Sequence, residues 1–228
     1  MNNQSFTSWR SVLIGAVLIP LNSHWHIQMT LVWLTNFPAI LTLLFNVIFI
    51  LLLLVVCNHF WARYSPKTSL RQSELLTIYT MLCTSTALCG YDMMQCLVSL
   101  MGTGTWYATH ENEWITLFSH HLPDWLVVKD IEVLTPFYNG ESNFYSSRYL
   151  SAWAIPIVCW TVFVILLIWV MLCINVLLRK QWIEHERLAY PIVELPYDMT
   201  TVDKSTSKKR DSLLTNQRLW FGLSISGG

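Results

Sequence analysis

The sequence predicts an all-α protein, a polytopic transmembrane helical bundle of about four spans plus the start of a fifth, with a partly helical extracytoplasmic loop. Three observations predict it. Of 228 residues 54% are hydrophobic and 12% charged, where a soluble domain averages about 25% charged. The apolar residues gather into long blocks almost free of charge. The basic residues cluster on alternate sides of those blocks, as they do when Lys and Arg stay in the cytoplasm.

Residues 39–60 form the clearest block, AILTLLFNVIFILLLLVVCNHF, with no Asp, Glu, Lys or Arg over 22 residues. At 1.5 Å per residue that is about 33 Å of helix, enough to cross the hydrocarbon of a bilayer. Residues 150–178 form a second uncharged block, with Pro156 near its start, where a first-turn proline is tolerated. Residues 75–101 form another, apolar apart from small polar side chains and the group Gly90, Tyr91, Asp92 and Gln95. The first block in the chain, residues 11–34, opens with SVLIGAVLIP and closes with MTLVWL, but Pro20, Asn22, His24, His26 and Gln28 interrupt it. A broken or kinked span fits this pattern; a signal peptide lacks its small-x-small cleavage site, and a re-entrant segment is the other alternative.

Orientation follows from Arg63, Lys67 and Arg71 after the second span and from Arg179, Lys180 and Arg187 after the fourth. Those sides are expected in the cytoplasm, as is the N-terminus. The stretch 102–149 carries six acids against Lys129 and Arg148, as expected of an exported loop. Within it Trp114, Phe118, His121, Leu122 and Trp125 fall at helical spacing, with Pro123 interrupting the last turn; a small packed cap that shields the spans is expected there, an interfacial helix over the outer mouth of a cavity being the alternative. A cytoplasmic segment follows at 179–218, with a short helix ending before Pro191 and then a polar, basic linker. Residues 219–228 read as the truncated start of a fifth span.

Net charge is zero, so no nucleic-acid partner is expected. All six cysteines fall in apolar blocks and none in the exported loop, which encodes no disulfide framework. The string EHER is not the HExxH zinc pattern, His110, His120 and His121 lack spaced partner ligands, and neither a metal nor a cofactor is expected. The acids of the exported loop show no catalytic spacing, so an enzyme is the least favoured reading.

Polar groups at membrane depth are the informative ones, because they are expensive there unless they pair or serve a function. Counted from the outer helix ends, His24, His26, Asn46 and Asp92 all lie about 10–15 Å below the edge. Asn22, His24, His26, Gln28, Asn46, Asp92 and Gln95 therefore form a candidate polar layer. With Pro20 unwinding the first span, it would line a hydrated or substrate-facing cavity. The bland alternative is hydrogen bonding across helix interfaces.

The runs WRSVLIGAVLIPLNSHW, FNVIFILLLL, SELLTIY, GYDMMQ, ATHENEW and NVLLRKQWIEHERLAYPIVELPYDM together resemble a family of large, uncharacterised bacterial multi-pass membrane proteins. That family is similar to oligopeptide transporters, which pair an R-x-V-L-x-G opening and a later Asn with a W-x-E-x-E-R-L-x-[FY]-P segment. The matching positions here are Arg10, Val12, Gly15 and Asn22, then Trp182, Glu184, Glu186, Arg187, Leu188, Tyr190 and Pro191. The resemblance implies secondary transport of a peptide or small metal chelate, the substrate itself unknown. It also implies that the chain corresponds to the N-terminal portion of a longer protein, whose partners are the lipid bilayer and either C-terminal spans or another membrane subunit. A membrane scaffold or subunit of a larger assembly is the alternative function.

Overall fold

The computed structural model describes residues 8–33, 44–65, 68–140, 145–186 and 191–201. The described residues are helical, with no strand among them, and the chain divides into two compact units. The first comprises residues 1–93 and 190–228, the second residues 94–189. The expected start of a fifth span and most of the basic linker lie outside the described residues.

The first unit contains α1 (Trp9–Ile27), α2 (Phe45–Tyr64), α3 (Gln72–Leu88) and the later α8 (Pro191–Thr200). Ser8 caps α1, its hydroxyl accepting the Ser11 amide. Helix α1 runs unbroken through Pro20, contrary to the expected unwinding there. It loosens later, in a π-helical stretch at Gln28–Val32 where the Trp33 amide reaches back to the Gln28 carbonyl at 2.9 Å. Within it the Thr30 hydroxyl donates to the His26 and Ile27 carbonyls, at 3.0 and 3.3 Å. Helix α3 starts where the Glu74 carboxylate accepts the Arg71 amide at 2.8 Å.

Contacts at Ser8 with Glu74, Gly15 with Met81 and Asn22 with Thr86 advance together along α1 and α3, so these helices run parallel. At Gly15 a β-carbon would stand 2.6 Å from the Met81 sulfur, which shows how closely the pair approaches. Helix α2 runs the other way, with Asn46 beside Asn22 and, at its far end, Asn58 exchanging hydrogen bonds with the Leu70 backbone. Val47 and Leu51 of α2, Ile78 and Leu82 of α3, and Met199 of α8 form the core, with Ile14, Leu18 and Trp25 of α1 packed on it. Each such side chain contributes about 1.5–3 kcal/mol when removed from water. Helix α8 is an element the sequence reading left unassigned; Pro191 opens it, a position where the missing N–H would have had no partner anyway.

The second unit contains α4 (Cys96–Trp106), α5 (Trp114–Leu117), α6 (Ile131–Asn139) and α7 (Ser147–Lys180). Met101, Val128, Val133, Leu134 and Trp153 make its core. The helix expected from Trp114 to Trp125 is reduced to the single turn of α5 and one 3-10 turn at Ser119–His121. Phe118 leaves the helical region with φ of −137°, and Pro123 follows within a turn. The loop's longer helix is instead α6, capped by Asp130, whose carboxylate accepts the Glu132 amide at 2.9 Å. Arg148 ties it to α7 through Asp130 at 3.2 Å and Glu132 at 2.5 Å. Trp160 of α7 donates to the Leu126 carbonyl at 3.0 Å.

Helix α7 begins before its apolar block, so Pro156 sits in the third turn, not the first. The expected span 75–101 is likewise not one helix: α3 ends at Leu88, and a π-helical stretch, Tyr91–Gln95, precedes α4. Among the described residues two helices, α2 and α7, are long and apolar enough to cross a membrane. Most apolar side chains of α7 beyond Pro156 are exposed, Val164 being the buried exception.

Candidate functional site

The buried face of α1 carries Ser11, Gly15, Asn22 and His26, followed by Thr30, at spacings that repeat every three to four residues or a multiple of that. Between apolar helices such a polar stripe must find partners, since a buried amide without a hydrogen bond is destabilising by about 1–3 kcal/mol. Asn22 finds them on both neighbours. Its amide donates to the Thr86 hydroxyl of α3 at 2.9 Å, and its carbonyl oxygen accepts the Asn46 amide of α2 at 2.9 Å. The Asn46 amide reaches Thr86 as well, at 3.1 Å. All three side chains are fully buried, so one polar knot fastens three helices.

Next to it, the hydroxyls of Ser23 and Ser85 lie 3.1 Å apart, and the Cys89 thiol donates to Ser23 at 3.3 Å. One helical turn beyond Asn22 stands His26, also fully buried. Neither of its ring nitrogens has a hydrogen-bond partner among the described residues, and the Asn46 carbonyl oxygen has none either. The knot thus leaves one acceptor unused, one helical turn along α1 from an imidazole able to donate or accept a proton.

The other expected members of the layer divide differently. His24 is exposed, and Gln28 is half-buried at the start of the π-helical stretch. Asp92 lies in the stretch Tyr91–Gln95, and its side chain lies outside the described residues. Gln95 is half-buried and belongs to the second unit. The structure therefore brings together Asn22 and Asn46, with His26 adjacent on the same face of α1. It adds Thr86, Ser23 and Ser85, which the sequence reading passed over as small polar residues of an apolar block. The buried face of α3, which runs Leu75, Ile78, Tyr79, Leu82, Ser85 and Thr86, carried the signal, because that spacing places Ser85 and Thr86 on the core side.

At the other end of α1 and α3 the Ser8 hydroxyl donates to the Glu74 carboxylate, which is 5% exposed. Burial works to raise the Glu74 pKa. The Ser8 hydroxyl, the Arg71 amide and the charges of Arg10 and Arg71 together outweigh it and hold the carboxyl below its ordinary value. Among the described residues no group of three or more His, Cys, Asp or Glu side chains is placed to hold a metal ion, and all six cysteines are free thiols.

Residues 1–228 match the family described as a family of unknown function, DUF6785. No curated protein and no solved structure matches the chain.

Proposed function

We propose, for a chain that belongs to DUF6785, a family of unknown function, that it is an integral membrane protein of transporter type whose first three helices hold a solute-facing or proton-accepting site at His26. The observation that carries this reading is a fully buried imidazole with neither nitrogen bonded to any of the described residues, one turn from a knot of Asn22, Asn46 and Thr86 that holds three helices together. An unpaired buried polar group is retained against a penalty of about 1–3 kcal/mol where something other than the resting fold makes use of it. The π-helical stretch that begins two residues later supports the reading, since such departures from α-helix recur at functional positions.

In this reading four segments cross the bilayer, at 11–34, 39–60, 75–101 and 150–178, with the N-terminus and the basic loops in the cytoplasm. Helix α2, running opposite to the parallel pair α1 and α3, suits successive crossings, and the apolar lengths of α2 and α7 suit a bilayer of about 30 Å. The resemblance to oligopeptide transporters adds the substrate class, a peptide or small chelate. Catalysis has no place in it. The second reading, a membrane scaffold, is favoured by the knot itself, whose hydrogen bonds already act as helix-to-helix fasteners.

Cysteine substituted at His26, in a background with the six native cysteines replaced, separates the two. A site that opens to solute reacts with a membrane-impermeant thiol reagent in intact cells, whereas cysteine placed at Leu51 in the core stays protected. Protection at both positions in a correctly inserted protein would leave the scaffold.

A further inference from the structure

A second feature lies at the opposite end of α1, where that helix, α2 and the loop before α3 enclose a groove of ≈ 270 Å³. Its lining is mainly apolar, with half-buried Ile14 and Leu54 and the exposed Cys57, and it includes the exposed Arg10. The polar groups of its walls are largely occupied. Asn58 is bonded in both directions to the Leu70 backbone, at 2.7 and 3.0 Å, and the Trp61 indole donates to the Thr68 hydroxyl at 3.0 Å. Arg10 differs. Its exposed guanidinium donates to the neutral Thr68 carbonyl at 2.7 Å, and a guanidinium has five donors. Among the described residues no carboxylate forms a contact ion pair with it; Glu74 feels its charge but makes its hydrogen bonds to Ser8 and the Arg71 amide, so guanidinium donors remain for a ligand.

The groove's depth in a membrane is set by α2. That helix is 20 residues long and apolar enough to cross, which is about 30 Å, so its last turns, bearing Cys57 and Trp61, stand at one edge of the hydrocarbon. An arginine at that edge, above an apolar cleft and beside an interfacial tryptophan, matches a phosphodiester headgroup with acyl chain beneath it.

From this juxtaposition we propose that the groove between α1 and α2 binds an anionic phospholipid, its phosphate on Arg10 and the upper part of one acyl chain along Ile14, Leu54 and Cys57. The occupant is a membrane lipid and not a free anion, because Ile14, Leu54 and Cys57 offer nothing to a hydrated phosphate and α2, which carries two of them, is apolar enough to stand in a bilayer. The site needs α2 to cross a bilayer, and it is independent of transport through His26.

The test uses the full chain purified in a neutral detergent, with thermal unfolding followed as lipid is added. Phosphatidylglycerol should raise Tm progressively, as a ligand of the folded state does. Phosphatidylcholine, inorganic phosphate and glycerol 3-phosphate should leave it unchanged. R10Q removes the charge, and C57W fills the cleft from an exposed position while keeping Arg10; each should abolish the phosphatidylglycerol shift. Should R10Q fail to fold, C57W carries the test. Equal stabilisation by phosphatidylcholine, a shift reproduced by phosphate alone, or an undiminished shift in C57W would each overturn the proposal.

Discussion

Asn46 donates to two acceptors at once, and this makes it the most informative single side chain to remove. Replacing it with Ala deletes both bonds and strands the Asn22 carbonyl oxygen. At about 0.6 kcal/mol for each bond between helices in a membrane, plus the stranded acceptor, N46A should lower stability by about 1–2 kcal/mol. N22A should cost a similar amount, and the double variant should cost clearly less than the sum, as expected of residues in one network. Denaturation in micelles measures all three, and strict additivity would show that the knot does not act as a unit. The two asparagines were visible in the sequence because amides are rare in apolar runs. Thr86 was not, since a helical threonine usually satisfies itself: Thr77, Thr80 and Thr84 of the same helix all donate to the carbonyl four residues back, at 2.8, 2.7 and 3.0 Å. The spacing of α3 puts Thr86 on its buried face, but only the neighbouring helices supply the two amides that make it an acceptor.

Among elements, the apolar helices were legible because a run without charge leaves few alternatives to lipid or core. The boundaries were less so. Hydropathy placed a continuous span over 75–101, where the structure inserts a turn and a π-helical stretch, because an apolar average is blind to the backbone break near Gly90. Periodicity favoured a helix at Trp114 over α6, whose short run holds Pro136 and whose best signal is the Asp130 cap. The junction of α1 with α3 yields a pH dependence. Glu74 titrates below its ordinary value in the folded protein, so its contribution is fully present above about pH 4.5 and is lost as pH falls through the depressed pKa. Protection of the Ser11 and Val12 amides, corrected for the intrinsic exchange rate at each pH, should therefore fall as pH drops below about 4.5 and through the depressed pKa, and E74Q should show lower protection already at neutral pH. Exchange in E74Q matching the parent protein at neutral pH would mean that the carboxylate does not hold the helix start.

For the whole molecule, the class of fold was readable from charge distribution, while its partition into two units was not, since each unit is assembled from contacts distant in sequence. Helix α8 returns to the first unit to place Met199 against α2 and α3, and Gln72 donates to Thr201 at 3.0 Å across 129 positions of chain. Helix α7, with 34 residues, is about 51 Å long, well beyond the roughly 30 Å of bilayer hydrocarbon. With so much apolar surface outward, the protein should remain in the membrane pellet after an alkaline carbonate wash and leave it only with detergent. Recovery in the aqueous supernatant as a monodisperse species would remove the membrane reading altogether. Within the first unit, α1 and α3 are fastened at two heights, by Ser8 on Glu74 near one end and by Asn22 on Thr86 some fourteen residues further along. Two rods pinned at two points cannot slide past each other by a single turn, so whatever motion exposes His26 must swing the pair as one piece or unpin both places together.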